Sequence, residues 1–472
     1  MTMTATWFRP RATGGTTLIL LTMSLGVLIA QIDTSVVNLA VKEIGASLNA
    51  GVTALQWVVD AYNLVYASLL LTAGTLADLY GRRRIFALGI ALFTLGSLVC
   101  GLAPNATVLV AGRAVAGLGA ALEVPTSLAI LAVAYPGAKQ RAQALGIWAS
   151  CNGLAFIIGP TLGGVLVESV GWRSIFLLII PLCVLALGLT ATAVPESSDP
   201  KGRSLDVPGQ ALAVAALGAL SLAVIEGPRW GWESFASVAA FAGSALAAVL
   251  FVLRQRGADG ALVPLPMFRN RVFSASLGIA AAMTFGMYAM LFLTPLYLQA
   301  SRGDGALLAG VELLPMSVTF VIVSQLSGKI ANAYGPRLPM TLGMAMMGLG
   351  LFMLALIPLD NSLWLVEAAL LVIGCGLGLN TAPVNGVAVA NVAAARSGTA
   401  SGLVNTARMV GATLGVAVLG AIFATVAGGS PDAGHIIAGL PPAFIVGGIG
   451  EMLGAAAAFT FIRRDSLHPV KR

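Results

Sequence analysis

The chain has 472 residues, of which 58% are hydrophobic and 10% charged, and its mean hydropathy is +0.93. Soluble domains carry about 25% charged residues, so a soluble globular or disordered protein is excluded and a polytopic membrane protein is implied. The net charge of +7 would suit nucleic acid, but the basic residues are distributed along the loops, which points to membrane topology and to no nucleic-acid partner.

Runs of about 20 mostly apolar residues predict fourteen membrane-spanning helices. They fall at 16–41, 52–76, 85–103, 107–133, 142–167, 174–194, 208–227, 234–254, 273–298, 311–332, 338–358, 362–386, 399–426 and 440–462. The first run is too long for a cleavable signal and no A-x-A site follows, so it is expected to remain as a helix. An even number puts both termini on one side. If that side is the cytoplasm, 20 of the 26 Lys and Arg residues face it. Four face the other side (Lys42, Arg173, Arg229 and Arg302), and Arg113 and Arg408 lie inside spans. This positive-inside bias predicts cytoplasmic termini.

Span 1 contains "LIAQIDTSVVNLAV" (28–41). Asp33 within it costs ~2.5–3.5 kcal/mol on insertion scales, so it reads as functional. Span 2 adds Asp60 and span 4 adds Arg113. These three charges share a depth of ~9–12 Å below the outer surface, which allows mutual pairing, and a purely structural lock is a standing alternative for Arg113. Glu123 lies about 24 Å into span 4 with no evident partner. A carboxyl buried alone favours its protonated form, as a proton carrier requires.

The loop after span 2, "GTLADLYGRRR" (74–84), carries Gly74, Asp78, Gly81, Arg82 and Arg83. The glycines allow a tight turn and close helix approach. Asp78 can meet a helix N-terminus or an arginine across the bundle seam. The loop therefore reads as a cytoplasmic latch, with topogenic charge alone as the plainer alternative. Span 5 carries Gly146, Gly159, Pro160, Gly163 and Gly164, a pattern for a bent, closely packed hinge; ordinary glycine packing is the alternative.

The loop sequence recurs. "GTLADLYGRR" (74–83) and "GKIANAYGPR" (328–337) match at an offset of 254, with Asn332 in place of Asp78, so the second copy is expected to latch more weakly. "GPTLGG" (159–164) and "GATLGV" (411–416) match nearly in step. Spans 1–6 and 9–14 thus read as two related bundles, the architecture of transporters with a central site between halves. The expected fold is an all-α membrane protein of two pseudo-symmetric six-helix bundles, 16–194 and 273–462. Linkers and an inserted helix pair occupy 195–272, and the tails are 1–15 and 463–472. The repeat offset places the apolar Met287 opposite Asp33, which concentrates proton handling in the first bundle.

The motifs in this order resemble the major facilitator superfamily, and within it the fourteen-span drug:proton antiporters. The resemblance runs from about residue 20 to 462. It rests on "DTSVVNLA" (33–40), the 74–84 loop, "GRAVAGLGAAL" (112–122) and the span-5 motif, with "GWRSIF" (171–176), "IEGPRWGW" (225–232) and "LPMFRNRVF" (265–273). It departs at Val41, where the span-1 motif often ends in Pro, and at Ala155, in place of a glycine. The resemblance implies a proton-coupled multidrug antiporter of the bacterial cell (inner) membrane that exports lipophilic, often cationic compounds by alternating access. It implies no cofactor beyond the proton gradient; the expected partners are drugs, protons and membrane lipids, and a monomer is the expected unit. Asp33, Asp60, Arg113 and Glu123 are the expected proton-coupling residues.

The expected substrate cavity comprises Asn38, Trp57, Tyr62, Trp148, Asn152, Met287, Tyr288, Asn380, Asn405, Arg408 and Glu451. Flexible thioethers and aromatics suit a promiscuous apolar site, although core packing explains the Met287–Tyr288 stretch equally. The rival is an exporter of one antibiotic or metabolite with the same fold. An enzyme is disfavoured: the two histidines, His435 and His468, fall outside the predicted spans, and neither H-E-x-x-H nor G-x-S-x-G occurs. The scattered acids disfavour a channel. The four cysteines, in apolar runs without ligand spacing, read as small core residues.

Overall fold

The computed structural model of the chain describes residues 13–200, 204–257, 261–358, 362–393, 396–427 and 433–467. His468, most of the N-terminal tail and the Asn152 side chain lie outside the described residues. Fourteen helices among them are long and apolar enough to cross a membrane. Spans 1–7 are Gly15–Leu48, Val52–Tyr80, Arg82–Gly101, Ala106–Ala134, Lys139–Ser169, Ser174–Ala193 and Val207–Trp230. Spans 8–14 are Phe235–Arg256, Arg271–Ser301, Ala306–Tyr334, Arg337–Leu354, Leu363–Ala390, Ser397–Ala427 and Ala433–Phe461. No strand occurs among the described residues.

Every expected span is present, and most are longer than expected. The hydrogen-bond ladder of a helix does not stop where the apolar run stops. Span 1 continues through Lys42 and Glu43 to Leu48. Span 14 starts at Ala433 rather than at 440, because Pro441 and Pro442 sit inside the helix instead of opening it. His435 therefore falls within a span, in its exposed first turn, and not outside as expected.

Polar caps fix several starts. The Asn105 side chain accepts from the Val108 N–H at 3.0 Å to open span 4, and Asn270 accepts from Val272 and Phe273 to open span 9. Asp206 accepts from the Gly209 N–H at 3.1 Å to open span 7, and Arg254 Nε (3.1 Å) and Gln255 Nε2 (2.6 Å) donate to the same carboxylate. Burial alone would push the Asp206 carboxyl up. The hydrogen bonds from Gln255, Gly209 and Arg254 outweigh it and hold the group below the ordinary carboxylate range.

Within the first six spans, span 1 packs on spans 4, 5 and 6, span 2 on span 4, and span 3 on spans 4 and 6. The same pairs recur eight spans later: span 9 on 12, 13 and 14, span 10 on 12, and span 11 on 12 and 14. The two sets meet along three seams: spans 1 and 9, 2 and 13, and 5 and 10.

Spans 7 and 8 form a peripheral hairpin. Span 7 lies on spans 2 and 13, and span 8 packs on span 7. Its ties to span 2 are polar. Gln210 bonds Thr72 and the Ser68 carbonyl, and Trp57 Nε1 donates to Glu226 at 3.0 Å. Its contact with span 13 is apolar, through Val224, Ile225, Ala417 and Ala421.

Candidate functional site

Asp33 and Arg113 form the central feature of the first bundle. Arg113 Nη1 donates to Asp33 Oδ2 at 2.5 Å, and both side chains are about 2% exposed or less. Arg113 Nε donates to the Val58 carbonyl at 3.0 Å, and its guanidinium lies 4.5 Å from the centre of the Tyr62 ring. Spans 1 and 2 thus hold the cation of span 4, while Asp33 Oδ1 has no hydrogen-bond partner. Such a pair is stable only while both charges persist; a change at either carboxylate or cation leaves the other uncompensated.

Of the other expected coupling residues, Glu123 stays within electrostatic reach of Asp33, whereas Asp60 separates. Asp60 does not join Arg113. It is fully buried and faces the Ser221 hydroxyl of span 7, with neither oxygen in a hydrogen bond of good geometry. Shared depth permitted pairing, but helix rotation turns Asp60 toward the hairpin. Glu123 is 1% exposed, and its Oε1 has no partner. It lies against Gly26 of span 1 and interacts with Tyr66 of span 2. Tyr66 also interacts with Tyr288 of span 9, and Tyr288 with Arg408 of span 13. Arg408 Nη2 donates to the Thr381 carbonyl at 3.1 Å, and its Nε has no partner. Glu123, Tyr66, Tyr288 and Arg408 therefore lie each within electrostatic reach of the next, from span 4 of the first bundle to span 13 of the second. Tyr66 was not legible as part of this series, since nothing in its local sequence distinguishes it from Tyr62.

Several expected cavity residues serve other contacts. Tyr62 is 1% exposed and forms the platform under Arg113, so its ring is not available to a substrate cation. Trp57 faces the hairpin through Glu226. Asn380 is fully buried, bonds the Gly376 carbonyl and lies against Gly343 of span 11. Glu451 is fully buried with both oxygens unpartnered, pressed against Gly286 of span 9 and beside Leu351 of span 11, within the second bundle. Asn38 is 3% exposed and donates to the Thr34 carbonyl of its own helix. Trp148 Nε1 donates to Ser127 Oγ of span 4 at 3.0 Å. Met287 is buried, and Asn405 is half-buried.

The span-5 motif occupies the seam with span 10. A Cβ on Gly159 would come within 2.9 Å of Ser35 Cβ, and one on Gly163 within 3.0 Å of Val36, both in span 1. A Cβ on Gly164 would come within 2.6 Å of the Leu307 Cα in span 10. Adjacent glycines thus admit one helix from each bundle. Pro160 has no N–H, so it leaves the Phe156 carbonyl, four residues back, without a helical donor. Ser317 Oγ of span 10 supplies one at 2.7 Å. Glu168 accepts from the Leu307 N–H at 3.1 Å nearby. Gly146 plays no part in this contact, since nothing lies within 4 Å of its would-be Cβ.

The face opposite the chain ends is tied further by Lys42 Nζ, which donates to the Gln299 carbonyl at 2.7 Å, and by Gln299 Nε2, which donates to the Leu39 carbonyl at 2.9 Å. Toward the chain ends span 5 stands apart. Of residues 139–150 only Ala144 is buried.

In the 74–84 loop, Gly81 adopts φ +105°, a conformation that favours glycine. Arg82 Nη2 pairs with Asp78 Oδ1 at 2.6 Å. The loop is bonded to the segment after span 6: Arg82 N–H to the Ser197 carbonyl, Arg83 N–H to Glu196 Oε1, and Asp199 N–H to the Asp78 carbonyl. Gly74 has nothing within 4 Å of its would-be Cβ, so it is not a site of close approach. Among the described residues no group of three or more His, Cys, Asp or Glu is placed to hold a metal ion.

Comparison with known proteins agrees with this architecture. The sequence profile of the Major Facilitator Superfamily matches residues 23–416. The multidrug resistance protein Stp of Mycobacterium tuberculosis (strain CDC 1551 / Oshkosh) is 41% identical over 407 residues, covering 86% of this chain and 76% of Stp. The methylenomycin A resistance protein of Bacillus subtilis (strain 168) is 35% identical over 445 residues, covering 94% of each chain. A solved structure of a bacterial homologue of the human lysosomal transporter Spinster, inward-facing and unoccupied, aligns with a TM-score of 0.70. It covers 95% of this chain and 97% of its own at 17% identity, a likeness of fold alone.

Proposed function

Since the chain belongs to the Major Facilitator Superfamily, we propose that it is a proton-coupled exporter of lipophilic, often cationic, small molecules. It acts in the bacterial cell membrane, with both termini cytoplasmic, as the 20-to-4 division of loop charges supports. The observation that carries the reading is the buried Asp33–Arg113 pair, an expensive polar device in lipid that a passive scaffold does not need.

A proton that reaches Asp33 neutralises the carboxylate and removes the ionic partner of Arg113. The Val58 carbonyl and the Tyr62 ring still hold the guanidinium, so the cation remains in place while its field becomes uncompensated. That field disfavours a second positive charge nearby. Loss of the proton restores the pair and lets the bundle accept a cation again. Glu123, with an unpartnered oxygen, is the group that can take either the proton or the cationic head of a substrate. Tyr66 lies within electrostatic reach of it, and an aromatic face turned to a bound cation adds ~0.5–2 kcal/mol. Competition between proton and cation for the same charges yields antiport. The glycine seam of spans 1, 5 and 10 lets the bundles rock without losing contact.

Export of one antibiotic is the second reading, favoured by the methylenomycin A resistance relative, which spans 94% of this chain. Everted vesicles with an imposed pH gradient, challenged with a panel of cations and neutral drugs, separate the two. Gradient dissipation by several unrelated cations supports multidrug export. Dissipation by a single compound supports the narrower reading, and none at all overturns proton coupling.

A further inference from the structure

Both copies of the loop repeat are basic, but only the first is balanced by acids. In the first bundle a Cβ on Gly81 would meet the carboxylate of Glu196, at 2.7 Å from Cδ. Asp78 pairs with Arg82, and Glu196 with Arg84 at 3.7 Å. In the second bundle Gly335 adopts the equivalent conformation, φ +80°, and a Cβ there would meet Arg464, at 2.7 Å from its carbonyl oxygen. Asn332 replaces Asp78 in the repeat, and Arg464 stands where Glu196 stands. Both acids of the first copy are thus absent from the second, and Arg464 approaches Gly335 through its backbone rather than through its side chain.

A cavity of about 670 Å³ opens at this place, between the ends of spans 10, 11 and 14 on the face that bears the chain ends. Arg337 and Arg464 line it, with Thr341. Arg337 stacks on Phe459 with its guanidinium 4.0 Å from the ring centre, yet its Nε is buried without an acceptor. Thr341 Oγ1 is buried and also without a partner. Among the described residues no acidic side chain lines the cavity. Two cations and two orphaned polar atoms therefore surround a space whose missing component is an anionic acceptor.

The rim says what kind of anion. Leu338, Leu342 and Phe459 are 45%, 49% and 59% exposed, and they face outward along spans 11 and 14, where lipid tails lie. Tyr334, 65% exposed, stands at the mouth, where aromatic rings favour the headgroup level. We propose that this cavity is a binding site for an anionic phospholipid, with the phosphodiester between Arg337 and Arg464 and the acyl chains along Leu338, Leu342 and Phe459. The site depends on membrane residence alone and is independent of what the chain transports. It makes the second copy of the loop a lipid-anchored counterpart of the protein-bonded first copy.

The test is native mass spectrometry of the full chain released from nanodiscs of mixed phosphatidylethanolamine and phosphatidylglycerol. Wild type retains phosphatidylglycerol selectively. Arg337→Gln and Arg464→Gln each lower that retention about fivefold, as removal of a basic group near an anionic phosphate predicts. Asn332→Asp, an exposed position, restores the acid of the first copy and lowers retention without loss of a cation. Arg256→Gln, at the exposed end of span 8, is the control for general charge and leaves retention unchanged. Equal loss in Arg256→Gln, or equal retention of both lipids by wild type, overturns the proposal. Displacement of the lipid by millimolar inorganic phosphate overturns the assignment to a lipid, since a headgroup held alone needs no acyl chains. If Arg337→Gln fails to fold, Arg464→Gln and Asn332→Asp, both at exposed positions, carry the test.

Discussion

The sharpest prediction concerns Asp33→Asn. Arg113 is within 2.5 Å of the Asp33 carboxylate and almost wholly buried. Loss of that charge leaves a cation whose remaining supports are the Val58 carbonyl and the Tyr62 ring. Breaking a buried pair from one side costs about 3–5 kcal/mol. Asparagine keeps the shape and a carbonyl oxygen that accepts from Arg113, so the lower end, about 3 kcal/mol, is expected. Arg113→Gln in the same chain removes the stranded cation and should recover most of that loss. The coupling between the two sites is then about 1.5–3 kcal/mol, within the range for residues in contact. Thermal stability in detergent reads the first quantity. The coupling comes from the same melts of the single and double variants, and everted vesicles with an imposed proton gradient read transport. The expected outcome is that both the single and the double variant lose gradient-driven efflux, although the double variant regains stability. Wild-type efflux by the stable double variant would show the pair to be a structural lock, and the coupling reading would fall.

Four further outcomes follow from the geometry. Gly164→Ala forces a Cβ against the Leu307 backbone at 2.6 Å and should abolish transport, whereas Gly146→Ala, with nothing within 4 Å, should not; equal activity in vesicles would remove span 5 from the moving seam. Ser317→Ala leaves the Phe156 carbonyl without its donor and should cost about 1–3 kcal/mol. In a Pro160→Ala background, where the helix supplies its own N–H, the same change should cost less, and a thermal-melt cycle reads the difference. Glu123→Gln should shift the substrate profile toward neutral compounds, and an unchanged response to cations in the vesicle panel would count against it. Asp206→Ala removes the cap of span 7 and the partner of Arg254 and Gln255, at about 1–2 kcal/mol. Because its folded carboxyl lies below the ordinary value, that contribution is complete above about pH 4 and fades as pH falls through the folded value. Wild type and variant should therefore differ equally in stability at pH 5 and pH 7, and a gap that closes already at pH 5 would contradict the cap.

The loop and seam show how far sequence carries. Gly81 in "LYGRRR" announces a turn because few other residues adopt its φ. Pro160 announces a freed carbonyl at Phe156 because proline carries no N–H. Both statements are local and need no knowledge of neighbours. That the freed carbonyl meets Ser317, 161 residues away, is not local, and nothing around Ser317 marks it.

Apolar run length settled the fourteen spans, and the 254-residue offset settled the pairing of repeats, because insertion into lipid and chain geometry act on each segment alone. What only the packed bundle decided was direction around each helix axis. Asp33 and Asp60 share a depth, yet one turns to Arg113 and the other to Ser221. Tyr62 and Tyr66 lie one helical turn apart, yet one supports a cation and the other joins Glu123 to Tyr288. In a helix apolar on all sides, composition carries no signal of which face meets which neighbour. The close approach of glycines and the pairing of buried charges choose that face, and both exist only once the helices are together.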